Sequence, residues 1–254
     1  MTGGLSIDRW RLYVITDEQV SRGRSHLEVA EAAILGGADV VQLRDKTASG
    51  GRLYQVALVL RRLTREARIP FLVNDRLDIA LATDADGVHL GQNDLPASVA
   101  RRLLGPGRIL GVSAETAEEA VRAEKDGADY LGVGPVFEAR GTKSDAGEPV
   151  GLERIVRIRR QCGLPIVAIG GIDAENARLV REAGADSAAV ISAVAAADVE
   201  VKSPEQGLLD FPAEVLGVPA YWCWQAGEES IAWWHPLDTG FAGRQPIEIG
   251  RAHV

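Results

Sequence analysis

The chain has 254 residues, of which 46% are hydrophobic, and its formal net charge is −8. This length can bury the core of one barrel of roughly 250 residues or of two smaller domains, and the acidic charge disfavours nucleic acids and anionic membranes as partners. The sequence has neither an apolar run of about 18 residues nor a signal-peptide pattern, and its two distant cysteines fit no metal or redox spacing, so we expect a cytoplasmic protein with reduced thiols.

Short β-rich segments alternate with amphipathic helical segments along the first part of the chain. The predicted strands cover residues 11–16, 39–44, 70–74, 87–91, 109–113, 130–137, 165–170 and 187–192. Alternation of this kind predicts parallel pairing with right-handed crossovers, and eight units predict an α/β fold of the (β/α)8 TIM-barrel type. An open doubly wound sheet is the alternative, but no G-x-G-x-x-G motif follows the first strand.

The helical segments carry their own boundary signals. In the second, one apolar face is marked by Leu53, Val56, Ala57, Leu60 and Leu63, as expected for a helix that packs on a sheet. Three helical segments end in Gly-Ala-Asp, at residues 37–39, 127–129 and 184–186. Glycine favours the left-handed conformation that ends a helix, so each tripeptide predicts a helix C-cap followed at once by a strand.

The composition changes after residue 198. Residues 199–254 hold four of the five tryptophans, and Gly207 and Pro212 break any helix long enough to complete the barrel. Two aromatic segments separated by "AGEES" predict a β-hairpin. We expect a catalytic TIM-barrel domain over residues 1–198 whose eighth helix is missing or replaced, followed by an unrelated tail, a partial domain or a chimeric extension.

In a barrel of this type, functional side chains lie at the carboxyl ends of the strands and in the loops that follow them. In chain order the polar and glycine residues at these positions are Asp17, Gln42, Arg44, Lys46, Asn74, Asp75, Asp94, Ser113, Lys143, Gly170, Gly171 and Ser192. The cations Arg44, Lys46 and Lys143 attract phosphate groups. Asp75 and Asp94 can share a hard divalent cation such as Mg²⁺ with phosphate oxygens. These residues therefore predict a site for a metal-bound diphosphate.

A second anion site is predicted after the seventh and eighth strands, where TIM barrels often bind phosphate. Gly170 and Gly171 let the backbone come close to an anion. The N-terminus of a short helix that begins at Ser192 adds a favourable dipole. The sequence thus predicts two anionic groups in one bowl.

Four of these residues also fit structural roles. Asp17 fits the start of a helix or a turn, and Gln42 fits a core amide whose hydrogen bonds are satisfied. Arg44 and Lys46 alternate along a strand end, which also fits a solvated face. These alternatives stay open at the level of sequence.

The carboxylates and the nearby histidine and serine have structural alternatives as well. Asp75 can cap the helix that follows it, and Asp94 can cap the helix that starts with Pro96. His89 has no second ligand at metal spacing and is interpreted as structural. Ser113 has no histidine and acid nearby in the chain, so we do not interpret it as a nucleophile.

A run of nine short motifs now points to a known family. In order they are "YVITD", "VVQLRDK", "FLVNDRLDIAL", "DGVHLGQNDLP", "ILGVSAET", "GADYLGVGPVF", "TKSDAG", "VAIGGI" and "ADSAAVISA". Over about residues 11–197 the chain resembles thiamine-phosphate synthase. The resemblance implies a transferase that joins 4-amino-5-hydroxymethyl-2-methylpyrimidine diphosphate to 4-methyl-5-(2-phosphoethyl)thiazole. The products are thiamine phosphate and diphosphate.

The resemblance also implies roles for individual residues. It assigns Mg²⁺ to Asp75 and Asp94, with Asn93 standing where a second acidic residue is usual. The implied substrate contacts are Gln42, Arg44, Lys46, Asn74, Ser113, Thr142, Lys143, Gly171, Ile191 and Ser192. Of these, Arg44, Lys46, Lys143 and Ser113 are implied to act in catalysis. The loop around Thr142 is about one residue longer than is usual and lacks its first threonine.

Two other functions remain alternatives: a thiazole tautomerase and a non-catalytic protein that binds thiamine precursors. A tautomerase has no use for Asp75, Asp94 and Lys143 together, which favours the synthase. We expect small-molecule substrates, no nucleic acid and no membrane as partners, and a homo-oligomer is compatible with the sequence. The tail, about residues 201–248, resembles the C-terminal part of a small bacterial family of unknown function.

Overall fold

The computed structural model describes residues 7–138 and 148–195, and these residues form a closed barrel of eight parallel strands. Each strand pairs with the next in sequence, and the first pairs with the eighth through Leu12 and Ala188. The strands are β1 Leu12–Thr16, β2 Val40–Leu43, β3 Phe71–Asn74, β4 Gly87–Leu90, β5 Ile109–Ser113, β6 Tyr130–Val133, β7 Ile166–Ile169 and β8 Ser187–Val190. The predicted TIM barrel is confirmed.

A helix follows each strand, and a 3-10 helix at Ile7–Arg9 precedes β1. The helices are α1 His26–Leu35, α2 Gly50–Ala67, α3 Leu77–Ala82, α4 Ala97–Leu104, α5 Ala117–Lys125, α6 Gly151–Arg159, α7 Ala177–Glu182 and α8 Ser192–Ala195. Among the described helices, none has the length and apolarity that crossing a membrane requires.

Local sequence accounts for several of these boundaries. Ser25 and Glu28 form a reciprocal capping box at the start of α1, in which each side chain accepts from the other residue's backbone N–H. Leu53, Ala57 and Leu60 are buried on α2, as predicted, whereas the predicted Val56 and Leu63 are only half-buried. Strand β6 ends at Val133 although the prediction extended to residue 137, because Pro135 has no backbone N–H to continue the ladder.

The Gly-Ala-Asp tripeptides end helices as predicted, with φ values of 75° at Gly37, 90° at Gly127 and 105° at Gly184. Their aspartates have a role that the prediction missed. Each one accepts from backbone N–H at the start of the preceding odd-numbered strand. These hydrogen bonds join Leu12 N to Asp39, Leu110 N to Asp129 and Ile166 N to Asp186. Asp86, which is not in such a tripeptide, accepts from Phe71 N in the same way. These aspartates therefore fasten successive strands together at the end of the barrel opposite the predicted site.

Replacing Asp86 by alanine is expected to lower the free energy of unfolding by about 1–3 kcal/mol. Asp86 Oδ2 accepts from Phe71 N at 2.8 Å and from Arg61 Nη1 at 3.0 Å, so the change leaves two partly buried donors without a partner. Urea unfolding measures the change. Glu153→Ala is the control, because its pair with Arg157 is exposed and should contribute less than about 0.5 kcal/mol. Equal losses in both variants would contradict this interpretation.

The strands separate two apolar cores. One side of each strand packs against the helices, through residues such as Val14, Leu43 and Leu131. The other side fills the barrel interior, where Tyr13, Leu72 and Tyr130 are buried with the other residues of a second cluster. Because side chains alternate along a strand, every second residue faces the interior, and the last inward residues form the floor of the site.

The structure describes only the first residues of the region where the eighth helix was predicted to be missing or replaced. Helix α8 begins at Ser192, as predicted, and covers Ser192–Ala195 at the end of the described residues. The domain boundary near residue 198, the aromatic hairpin and the rest of the tail 199–254 lie outside the described residues, as does the loop at residues 139–147.

Candidate active site

A cavity of about 330 Å³ opens at the carboxyl ends of the strands, and it gathers most of the predicted site residues. Those that line it are Gln42, Arg44, Lys46, Asn74, Asp75, Asp94, Ser113, Gly170, Gly171, Ile191 and Ser192. Thr142 and Lys143 lie outside the described residues. Asp17 is buried behind the wall of the cavity against Arg44. The structure therefore brings together in one cavity residues that the strand-end prediction had selected and that are distant in sequence.

Asp75 directly follows β3 and has a left-handed backbone, with φ at 63°. Aspartate tolerates this conformation better than most residues, and such outliers concentrate at functional sites. Its backbone N–H donates to His89 O at 2.8 Å, which fixes the residue to β4. Its carboxylate lies 3.2 Å from Lys46 Nζ. Asp75 is thus held at the rim of the bowl between a cation and the next strand.

Asp94 lies in the loop after β4, where Gly91 N donates to its Oδ2 at 2.7 Å. Burial raises the pKa of the Asp94 carboxyl, and the nearby negative charge of Asp75 raises that pKa further. The charges of the Asp75 and Asp94 carboxylates therefore repel each other, and a cation between them would relieve this repulsion. Their oxygens are the ligands that Mg²⁺ prefers, so this pair fits a magnesium ion.

The capping alternatives for these two carboxylates are wrong. Helix α3 has Arg76 as its N-cap residue and α4 has Pro96, and neither helix is capped by a side-chain hydrogen bond. Asp75 instead contacts Lys46, and Asp94 instead accepts from Gly91 N. Local helix capping therefore does not account for either aspartate.

Arg44 and Asp17 form an ion pair, with side-chain exposures of only 7% and 3%. Asp17 Oδ1 also accepts from Gln19 N at 3.0 Å, which fixes the carboxylate in a turn after β1. Arg44 extends from β2 into the cavity wall. The structural alternative that placed Arg44 on a solvated face is wrong, because its side chain is buried. The alternative that placed Asp17 in a turn is correct, and the same carboxylate also orients Arg44.

The segment that carries Lys46 is anchored by Asp45. Asp45 Oδ1 accepts from the N–H groups of Thr47 and Ala48 at 2.9 and 2.8 Å, and its Oδ2 lies 3.4 Å from His26 Nε2. Burial raises the pKa of Asp45, but these hydrogen bonds outweigh it and the net shift is downward. Glu18, His26 and Asp45 lie close enough to be metal ligands. Because Glu18 is paired with Arg52, we interpret the cluster as the anchor of this turn.

Gly170 and Gly171 are required where the loop after β7 meets the loop after β6. At Gly171 φ is 62°, and an added Cβ would lie 2.6 Å from Glu138 O and 2.9 Å from Phe137 C. Only glycine combines this conformation with this close approach. The sequence predicted the two glycines as sites of close contact with an anion. The structure gives a separate reason for glycine at these positions, which is the close packing of the two loops.

Gln42 and Ser113 were predicted as site residues, but the hydrogen bonds that join them through the floor of the cavity were not. Gln42 Nε2 donates to Tyr13 OH, which lies 2.9 Å from Tyr130 OH. His89 lies between Tyr130 and Ser113, at 2.9 and 3.0 Å. The prediction found no histidine near Ser113 because it considered neighbours in the chain. The available signal was the alternation of inward-facing residues, which places these side chains on one floor.

Comparison with known proteins now identifies the family. The family model described as thiamine monophosphate synthase matches residues 12–194. The chain belongs to the thiamine-phosphate synthase family. It is 59% identical to a thiamine-phosphate synthase of Chloroflexus aurantiacus over 74% of this chain and 87% of the relative. It is 55% identical to one of Moorella thermoacetica over 75% of this chain and 91% of the relative.

A solved structure of the family agrees with the observed barrel. Thiamine phosphate pyrophosphorylase from Pyrococcus furiosus is 41% identical, with a TM-score of 0.72 over 83% of this chain and 96% of that protein. An N-acetylmannosamine-6-phosphate 2-epimerase from Clostridium perfringens is 18% identical with a TM-score of 0.56, which shows a shared fold alone.

The C-terminal part of the chain matches a second family. The model of an uncharacterized conserved protein (DUF2203) matches residues 156–247, which overlaps the first match over residues 156–194. The predicted resemblance of the tail to a family of unknown function is confirmed, although the match begins before the predicted tail.

Proposed function

We propose that the chain is a transferase that joins 4-amino-5-hydroxymethyl-2-methylpyrimidine diphosphate to 4-methyl-5-(2-phosphoethyl)thiazole. The products are thiamine phosphate and diphosphate. The observation that carries the proposal is the 59% identity to a thiamine-phosphate synthase over 189 residues. The cavity supports it independently, because cationic side chains and a carboxylate pair surround one space.

The reaction needs charge neutralisation and alignment more than acid–base chemistry. The diphosphate leaves from a carbon attached to an electron-rich aminopyrimidine, which can stabilise the positive charge left behind. The attacking thiazole nitrogen carries no proton, so no general base is required. The protein has to bind the departing diphosphate and hold the two rings in line.

We assign the diphosphate to the half of the bowl formed by β2, β3 and β4. Arg44, Lys46 and Asn74 would contact its oxygens. Asp75 and Asp94 would hold Mg²⁺, which supplies positive charge to the leaving group when it is bound. The ion pair with Asp17 holds Arg44 in place, so this guanidinium needs little reorganisation before the reaction.

In this proposal the pyrimidine ring lies between Gln42 on β2 and Ser113 on β5, and the second substrate occupies the part of the bowl next to β7 and β8. Gln42 and Ser113 would contact the pyrimidine, and Ser113 would also contact the diphosphate. Gly171, with the backbone at Ile191 and Ser192, would bind the phosphate of the thiazole. Gly171 lies in the loop after β7, and Ile191 and Ser192 directly follow β8, where TIM barrels commonly bind phosphate. Thr142 and Lys143 are proposed contacts from the family resemblance alone.

A turnover assay with the purified chain, both substrates and Mg²⁺ tests the proposal. We expect thiamine phosphate and diphosphate in equal amounts, and neither product when one substrate or the metal is left out. Isomerised thiazole phosphate as the only product would indicate a tautomerase, and binding without turnover would indicate a sensor. A chain that ends at residue 198 is expected to keep the same specificity, because we propose that the tail adds no catalytic group.

Gly171→Ala is expected to raise the KM for thiazole phosphate about tenfold, with a smaller effect on the KM for pyrimidine diphosphate. The added Cβ forces a shift of the backbone that we assign to the thiazole phosphate. Steady-state kinetics with each substrate varied in turn measures the difference. Gly107→Ala is the control, since a Cβ there meets no atom within 4 Å. Equal increases for both substrates would contradict the assignment.

A further inference from the structure

Five polar side chains form one continuous hydrogen-bonded chain across the barrel interior. Gln42 Nε2 lies 2.7 Å from Tyr13 OH, and Tyr13 OH lies 2.9 Å from Tyr130 OH. Tyr130 OH lies 2.9 Å from His89 Nδ1, and His89 Nε2 lies 3.0 Å from Ser113 Oγ. All five residues line the same cavity. The chain therefore begins and ends in the space that we assign to the pyrimidine.

Packing fixes the two tyrosines at the centre of this chain. Their exposures are 1% for Tyr13 and 0% for Tyr130, and Trp10 contacts both rings edge-on with centroid distances of 5.8 and 5.5 Å. A Cβ at Gly111 would lie 2.1 Å from Tyr130 Cζ, so the ring occupies a slot that only glycine leaves open. Burial raises the pKa of both hydroxyls, which keeps them protonated.

The hydrogen-bonding capacity of each group gives the chain a direction. The Gln42 amide nitrogen can only donate, so Tyr13 OH accepts from it and has its single proton left for Tyr130. Tyr130 in turn donates to His89 Nδ1, so the imidazole proton is on Nε2 and is donated to Ser113 Oγ. The Ser113 hydroxyl then has its own proton left for a ligand, and Gln42 has its Oε1 left as an acceptor.

We propose that Tyr13 and Tyr130 are positioning residues that set the polarity of the pyrimidine subsite, with an acceptor at Gln42 and a donor at Ser113. The proposal rests on the proposed function. The subsite then selects a heterocycle whose amino group donates to Gln42 while an oxygen or ring nitrogen accepts from Ser113. An oxo group in place of the amino group presents an acceptor to Gln42. Turning the amide to match it reverses every bond in the chain and removes the Ser113 donor.

The tautomer of His89 in the ligand-free protein tests the proposed direction of these hydrogen bonds without any assay of activity. We expect ¹⁵N NMR of histidine-labelled protein to show His89 protonated on Nε2, with the signal assigned by its loss in His89→Gln. Tyr130→Phe keeps the ring and removes the donor to Nδ1, so this variant should lose the single tautomer. In Tyr13→Phe the Tyr130 donor remains and the tautomer should persist.

Ligand discrimination supplies the second readout. The wild-type protein should bind the aminopyrimidine diphosphate about 10²-fold more tightly than its oxo analogue, and either tyrosine variant should reduce this ratio about tenfold. The affinity for thiazole phosphate should not change. Tyr54→Phe is the control, because Tyr54 lies on α2 and is not part of the hydrogen-bonded chain.

An Nδ1-protonated His89 in the wild-type protein would overturn the proposal, and so would Tyr130→Phe with both tautomer and discrimination unchanged. If the protein shows the expected tautomer but no condensation, the proposed direction of the hydrogen-bonded chain stands and the proposed function fails.

Discussion

Asp75→Asn is expected to lower kcat by about 10²-fold or more while the protein stays folded. Asparagine has the same shape and tolerates the left-handed backbone at this position, so the change removes mainly the charge that we assign to Mg²⁺ binding. Steady-state turnover across a range of Mg²⁺ concentrations measures the effect, which should be largest when the metal is limiting.

Asp78→Asn is a matched control for this prediction. Asp78 lies three residues further on and pairs with Arg76, and its side chain is 63% exposed. We expect turnover close to that of the wild-type protein. Near-normal activity of Asp75→Asn at limiting Mg²⁺ would show that the metal assignment is wrong.

Arg44→Gln should have two large effects. It leaves the buried carboxylate of Asp17 without its cationic partner, which should lower the free energy of unfolding by about 3–5 kcal/mol. It also removes a cation that we assign to the diphosphate, which should lower kcat/KM for pyrimidine diphosphate by about 10²-fold or more. Urea unfolding and steady-state kinetics measure the two effects separately.

A double variant separates stability from function at this pair. Asp17→Asn combined with Arg44→Gln replaces both charges by neutral amides, so most of the lost stability should return. The loss of activity should remain, because the diphosphate still lacks its cation. If the double variant regains activity together with stability, Arg44 has a structural role alone.

The fold could be predicted because its signals are local and repeated. Every strand was predicted, since each is a short apolar run between a helix end and a polar turn. The error at β6 has a local cause as well: the run "YLGVGPVF" stays apolar past the point where Pro135 stops the ladder. Gly37, Gly127 and Gly184 marked helix ends correctly because their role depends on their own backbone.

The part of the candidate site that lies at the strand ends could be predicted from the sequence. Asp75, Arg44 and Ser113 were found because each lies at or just after the end of a strand. Their partners could not be found in this way. Asp17 meets Arg44 across 27 positions, and His89 meets Ser113 across 24. Closure of the barrel creates these contacts, so they depend on which face of each strand turns inward.

The tyrosine chain shows the same dependence at longer range. Tyr13 and Tyr130 are 117 positions apart and lie on β1 and β6, which do not neighbour each other in the closed sheet. Nothing in the local sequence distinguishes them from ordinary core aromatic residues. Once the closed barrel is known, alternation along β1 and β6 turns both side chains inward, and the size of Gly111 leaves room for them to meet.

The proposal that Asp75 and Asp94 hold a metal against the diphosphate is tested most directly with Mn²⁺ in place of Mg²⁺. Pulsed electron paramagnetic resonance of the protein with Mn²⁺ and pyrimidine diphosphate should detect strong ³¹P hyperfine coupling, because phosphate oxygens share the ion with the two carboxylates. The ³¹P coupling of protein-bound Mn²⁺ should disappear when Asp75→Asn and Asp94→Asn are combined. Protein-bound Mn²⁺ with undiminished ³¹P coupling in that double variant would contradict the site proposed here.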